Sequence, residues 1–152
     1  GLPTNRFMFA GFIPNREKAR ADLFAELAGV NTTLVFYETA PRLTKTLTAA
    51  AEFFRGRELA VAREMTKMFE ECVNGGAEEL IAHFMQNPPK GEIVLMVAPP
   101  TAENKGNIDL NGVLKELMKT MPLKSAVNEA VKTCGLSRNE VYRRAVAIKN
   151  EG

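Results

Sequence analysis

The sequence predicts an α/β domain with a mixed five-stranded sheet and flanking helices, followed by a small all-α, helix-turn-helix-like tail. Three observations lead there. Strand-like and helix-like segments alternate through the first hundred residues. Two neighbouring β-leaning runs then interrupt the strand–helix–strand order, which puts an antiparallel hairpin into the sheet. Beyond residue 112 every segment has helical spacing.

The elements follow in order. Phe7–Ile13 (FMFAGFI) is a short apolar run ended by Pro14, and reads as a strand. Arg16–Ala28 places Leu23, Phe24 and Leu27 on one side of a helix that Gly29 stops. Thr33–Tyr37 (TLVFY) is β-branched and aromatic, hence a strand. Pro41–Phe54 carries Leu43, Leu47, Ala50 and Phe54 at three- and four-residue steps, hence a helix. Glu58–Arg63 and Phe69–Asn74 form the hairpin, Ala77–Gln86 a helix, and Gly91–Val97 (GEIVLMV) the last strand.

Residues Ala98–Gly112 hold two prolines, glycine, asparagine and charge without periodicity, which marks a linker. The expected organisation is therefore a domain over 1–98, a linker over 99–112 and a helical domain over 113–152. In the tail, helices are expected at Val113–Thr120, Leu123–Cys134 (ended by Gly135) and Ser137–Lys149. Ser137 and Glu140 fit a capping box at the start of the last one. That helix carries Arg138, Arg143, Arg144 and Lys149, which suits either a nucleic-acid-binding helix-turn-helix or a packing module with a solvated basic face.

Composition narrows the function classes. The chain has 152 residues, 45% hydrophobic and 25% charged, an ordinary globular balance. No apolar run approaches the roughly 20 residues needed to span a bilayer. The start has no basic stretch before an apolar core, so no signal peptide is expected. Cys72 and Cys134 are far apart, and with His83 alone beside them they suggest free thiols in a reducing compartment and no metal site. Residues 1–100 hold 11 Lys/Arg against 12 Asp/Glu, whereas residues 101–152 hold 9 against 6, so positive charge collects in the tail. There is no G-x-S-x-G, Walker loop or G-x-G-x-x-G, and no histidine near a serine or cysteine to activate a nucleophile. His83 sits at helical spacing and reads as structural, and Met65, Met68, Met85 and Met96 as core filler.

Charged clusters stand beside three strands: Tyr37-Glu38-Thr39-Ala40-Pro41-Arg42, Arg63-Glu64-Met65-Thr66-Lys67 and Lys90-Gly91-Glu92. In open α/β sheets ligands collect beyond the carboxyl ends of strands. The first two clusters lie at such ends; the place of the third depends on strand direction. Local salt bridges and helix starts at Glu38–Arg42 and Glu64–Lys67 are the alternative.

The stretches GLPTNRFMFAGFIP, TLVFYETAPRL, VAREMTKMFEECVNG and PKGEIVLMV, in this order across residues 1–98, resemble the ribosomal RNA small-subunit methyltransferase I family. That family belongs to the tetrapyrrole-methylase superfamily of S-adenosylmethionine-dependent enzymes. The resemblance implies that residues 1–98 form the C-terminal domain of a tetrapyrrole-methylase-like fold. It implies 2′-O-methylation of a cytidine in small-subunit ribosomal RNA, with the 30S particle as partner, in the cytoplasm. It also implies an N-terminal domain carrying the glycine-rich cofactor loop, absent from this sequence, so that the fragment alone is inactive. A homodimer is implied as well.

Residue by residue, the resemblance puts cofactor contacts at Tyr37, Glu38, Glu64, Met65 and Thr66. RNA contacts fall to Arg42, Arg63 and Lys67 at the rim, and to Arg138, Arg143 and Arg144 on the tail. Met65 stands where the family usually has leucine. Thr39-Ala40-Pro41 replaces the commoner Ser-Pro-His, so no histidine role carries over. Glu38, Glu64 and Glu70 are candidate bases by location only, and the catalytic residue is unassigned. Two other functions compete: a methylase of tetrapyrroles or another small substrate, against which the basic tail speaks, and a non-enzymatic ligand-sensing helix-turn-helix regulator.

Overall fold

The computed structural model describes residues 1–101 and 109–151. Five strands, β1 (Phe7–Phe12), β2 (Thr33–Thr39), β3 (Leu59–Arg63), β4 (Glu71–Gly75) and β5 (Glu92–Val97), form one sheet in the order β1-β2-β5-β3-β4. Between them run α1 (Glu17–Leu27), α2 (Leu43–Phe53) and α3 (Ala77–Gln86), and α4 (Leu110–Thr120), α5 (Leu123–Cys134) and α6 (Arg138–Glu151) follow. The sheet is mixed, as expected: β1 and β2 are parallel, and every other neighbouring pair is antiparallel.

Register explains the core. Leu34 pairs with Val97 and Val97 with Leu59; Phe36 pairs with Leu95 and Leu95 with Val61. These side chains share one face and are fully buried against Phe24, Leu43, Leu47, Phe53 and Leu80 of the helices. Each such burial stabilises by about 1.5–3 kcal/mol before conformational entropy is counted. The opposite face carries Phe9, Val35, Tyr37, Val94, Met96 and Cys72, exposed or half-buried. The helices thus cover one side of the sheet, while on the other side Thr33, Ala60 and Ala62 are buried and the larger side chains stay exposed or half-buried.

Most boundaries differ from the sequence expectation by one or two residues, and a few differences are instructive. Strand β2 continues through Glu38 and Thr39, because the ladder to β5 runs on to Glu92. Strand β4 starts at Glu71, not Phe69: Met68 and Phe69 are β-leaning but belong to the loop, exposed to 90% and 69%. Helix α4 starts at Leu110, not Val113, since Asp109 accepts a hydrogen bond from the Gly112 backbone N–H at 3.0 Å and caps it. The linker expected over 99–112 therefore ends by Asp109, and its part over 102–108 lies outside the described residues. At α6 the Ser137 hydroxyl accepts from the Glu140 N–H at 3.3 Å, the serine half of the expected capping box.

The tail helices pack on the α/β layer. Leu114, Val127, Val131 and Val141 join the same buried core as the sheet. Arg138 donates to Asp22 of α1 at 3.1 Å, Lys132 pairs with Glu52 of α2 at 3.0 Å, and Gly29 sits so close to Ser137 that a Cβ there would lie 2.4 Å from its backbone nitrogen.

Candidate functional site

Strands β2 and β3 both run antiparallel to β5 and hence parallel to each other. Their carboxyl ends, Thr39 and Arg63, flank the start of β5, where Thr39 pairs with Glu92 and Arg63 with Ile93. All three charged clusters noted in the sequence thus meet at one sheet edge. They enclose a cleft of about 460 Å³ whose walls include Phe12, Tyr37, Thr39, Met65, Glu92 and Val94. A shallow, largely apolar cleft of this size is ordinary for a small-molecule site.

The loop between β3 and β4 forms one wall, and it is wound tightly. Glu64 (φ 50°) and Thr66 (φ 66°) are left-handed, a conformation that is rare for a β-branched residue. Contacts hold them there. The Lys67 N–H donates to the Glu64 carbonyl at 2.9 Å, and the Thr66 N–H donates to the Glu70 carboxylate. The Glu64 N–H donates to the Glu92 carbonyl at 3.3 Å, and the Glu92 N–H donates back to the Glu64 carboxylate at 3.2 Å. Lys67 bridges Glu64 (3.3 Å) and Glu92 (3.2 Å). The Glu92 N–H, then Lys67, hold the Glu64 carboxyl below its ordinary value, while Glu92 and Glu64 push Lys67 above its own. Met65, half exposed at the tip, takes part in none of these hydrogen bonds.

Of the residues expected to contact a cofactor, Tyr37 and Met65 line the cleft, and Glu38 reaches its floor. Glu64 and Thr66 shape the wall that presents Met65. The Glu38 carboxylate is buried, accepting from the Thr39 N–H at 2.7 Å and the Thr46 hydroxyl at 2.6 Å and pairing with Arg42 at 3.2 Å. It is an anchor for the start of α2, not a group poised to take a proton. Glu64 and Glu70 are likewise occupied by the loop.

The basic residues divide. Arg42 turns inward to Glu38 and the Ile13 carbonyl, Arg63 pairs with Glu71 at 2.6 Å, and Lys67 is held as above. Arg138 is spent on Asp22. Arg144 donates to Asn111 from an exposed position, and Arg143 is exposed with no hydrogen-bonding or ionic partner among the described residues. Phe12, Gly91 and Glu92 were missed as site residues. The third cluster was visible, but only the antiparallel direction of β5 brings it to this edge. Among the described residues no group of histidine, cysteine or acidic side chains is arranged to hold a metal, and no helix is long and apolar enough to cross a membrane.

Residues 106–149 match the family model described as the RsmI C-terminal HTH domain. Over 149 residues the chain is 47% identical to ribosomal RNA small subunit methyltransferase I of Erythrobacter litoralis, covering 98% of this chain and 53% of the relative. The protein of the same name from Mesorhizobium japonicum is 38% identical over 152 residues, covering 99% of this chain and 52% of the relative. That from Synechocystis is 34% identical over 157 residues, covering 100% and 56%. The chain belongs to the ribosomal RNA small subunit methyltransferase I family. It spans about half the length of the curated relatives it matches, and it corresponds to their C-terminal part. Within that family's C-terminal part, the matched helix-turn-helix segment includes all of α4, α5 and most of α6.

Proposed function

We propose that this chain is the C-terminal part of an S-adenosylmethionine-dependent enzyme that methylates the 2′-hydroxyl of a cytidine in small-subunit ribosomal RNA, in the cytoplasm. The observation that carries the proposal is the meeting of the β2 and β3 ends and the β5 start around one apolar cleft, in a chain whose relatives are named for ribosomal RNA methylation. The cleft fits the cofactor's adenosine part on two counts. Its volume is in the small-molecule range, and Met65 presents backbone N–H and C=O groups that the loop's own hydrogen bonds leave unused. Tyr37 and Glu38 would border the adenosine from β2, and Glu64, Met65 and Thr66 from the loop.

The cofactor supplies a methyl group on a sulfonium. Tyr37, Glu38, Glu64, Met65 and Thr66 would hold and orient it. Positioning a hydroxyl in line with a reactive carbon is worth roughly 7–11 kcal/mol of barrier in well-oriented cases. Glu38, Glu64 and Glu70 are each engaged in structural bonds, so the group that takes the hydroxyl proton is proposed to lie in the N-terminal part that the relatives possess. Arg143 and Arg144, exposed on α6, are proposed to contact RNA phosphates, with the tail helices α4 to α6 as the RNA-docking unit and 1–98 as the catalytic half-site. Arg42, Arg63, Lys67 and Arg138 are expected to support the fold before they touch RNA. A homodimer is proposed and is read by sedimentation.

The test is calorimetry with S-adenosylhomocysteine on the intact enzyme carrying this chain. Met65→Trp, which fills the cleft, is expected to abolish binding. Unchanged affinity would remove the cofactor from this cleft.

A further inference from the structure

We infer that Phe12 is a stacking platform for an unpaired nucleobase of the RNA substrate, an inference that rests on the methyltransferase reading above. The argument begins with parity. Along a strand, side chains alternate between faces, so Phe7 and Phe9 share the face away from the helices and Phe12 belongs on the other. The structure breaks this alternation. The β1–β2 register shifts between Phe9 and Phe12, and Gly11 takes φ +75°, a left-handed conformation natural to glycine. The bulge turns Phe12 back to the side of Phe9. Both rings now lie on Tyr37, with centroids 4.9 Å (Phe9) and 5.3 Å (Phe12) away at steep tilts.

The re-aimed ring is not buried. Phe12 is 69% exposed at the cleft mouth, although the same bulge leaves the following Ile13 buried. A local backbone device that delivers a large aromatic to solvent beside a cleft is explained by a partner that stacks there. The cleft's chemistry selects the partner. No lysine or arginine lines it, so it does not suit a phosphate. Glu92, whose side chain is 87% exposed, lines the same cleft, and the carboxylate oxygens left over from its pair with Lys67 can accept hydrogen bonds, which favours a base with an exocyclic amine (cytosine, adenine or guanine) over uracil.

The cofactor's own adenine satisfies that chemistry too, but position separates the two. Phe12 is on the edge strand β1, while Met65 follows β3, three strands across the sheet. At the usual strand spacing that is about 14 Å. An adenine held by the Met65 backbone leaves Phe12 uncovered for a second ring. Aromatic platforms for splayed-out bases are the common means of reading single-stranded RNA.

The experiment uses the intact enzyme carrying this chain, with Phe12→Ala, Phe12→Leu (bulk without a ring) and Phe12→Trp. Three quantities are measured: kcat/KM on small ribosomal subunits, affinity for a single-stranded cytidine-containing RNA oligonucleotide by fluorescence anisotropy, and affinity for S-adenosylhomocysteine by calorimetry. Alanine and leucine are expected to lower kcat/KM and oligonucleotide affinity roughly 5- to 150-fold, the range of one lost base–aromatic stack. Tryptophan is expected to restore both. Cofactor affinity is expected to fall by much less than oligonucleotide affinity, and sedimentation should not move. Unchanged RNA parameters would overturn the inference. So would a loss that follows cofactor affinity, making Phe12 part of the cofactor site, or a change in sedimentation, making it a subunit contact. Oligonucleotide binding that depends on Phe12 without methyl transfer by the wild type would support the platform and overturn the methyltransferase reading.

Discussion

Replacing Gly91 by alanine tests how the cleft wall is held. Gly91 lies one residue before β5 with φ +83°, and a Cβ there would lie 1.8 Å from a Glu64 carboxylate oxygen and 2.4 Å from its Cδ. Two effects add. A left-handed non-glycine residue costs about 1–2 kcal/mol. The carboxylate must also leave its place, which breaks its bond to the Glu92 N–H. For a chain of this size the backbone term alone lowers Tm by about 2–8 °C. Gly11→Ala is the control, since it shares the left-handed φ (+75°) but has nothing within 4 Å of the added Cβ. Gly91→Ala is therefore expected to melt lower than Gly11→Ala in calorimetry.

A second readout follows from charge. The folded-state pKa of Glu64 is depressed, chiefly by the Glu92 N–H and then by Lys67. Its stabilising contribution is present above the unfolded-state pKa and is lost as pH falls through the lower folded value. In Gly91→Ala the displaced carboxyl is expected to titrate nearer its ordinary range, measured by carbon-13 NMR of the Glu64 side chain. Equal melting of the two alanine variants, together with an unmoved Glu64 titration, would refute the reasoning.

Other expectations are simpler to check. Cys72 is exposed, while Cys134 is buried and burial pushes its thiol up. A thiol reagent at neutral pH should label one cysteine per chain quickly and the second only in denaturant. Arg57 is buried, donating to the carbonyls of Ala98 and Ala28 at 2.5 and 3.1 Å, with burial pulling it down to about 10. Arg57→Met strands these acceptors at roughly 1–3 kcal/mol each, so urea unfolding should shift by about 2 kcal/mol or more. In a salt titration of RNA binding, Arg143→Ala with Arg144→Ala should weaken affinity and flatten the log–log slope by about 0.7 for each lost contact to single-stranded RNA. Arg138→Ala, which loses the Asp22 pair, should leave that slope unchanged and cost at most about 1 kcal/mol of stability.

Local signals carried most of the fold. The strands and helices of the α/β layer were legible because period-two and three-to-four-residue patterns are short-range, and the Ser137 cap marked the start of α6. What escaped the sequence is long-range. The direction of β5 decides that Lys90-Gly91-Glu92 joins the other two clusters, and no local pattern encodes it. Met68 and Phe69 look like strand residues, yet the Glu64 and Thr66 turns leave them in a loop. Short-range pairing of basic residues was legible: the local salt bridges offered as an alternative at Glu38–Arg42 and Glu64–Lys67 both form. Long-range pairing was not, since Arg138 meets Asp22 from more than a hundred residues away. The Gly11 bulge was hidden because strict alternation is the default reading of FMFAGFI.

The central claim is that the sheet edge at Tyr37, Met65 and Glu92 serves methyl transfer to small-subunit ribosomal RNA. Its most direct test is transfer of a tritiated methyl group from S-adenosylmethionine to small ribosomal subunits from cells lacking the enzyme. The intact enzyme carrying this chain is compared with its Met65→Trp variant. The prediction is label on a ribose of the small-subunit RNA with the wild type and none with the variant. Label absent from the RNA with the wild type, or equal transfer by both, would contradict it.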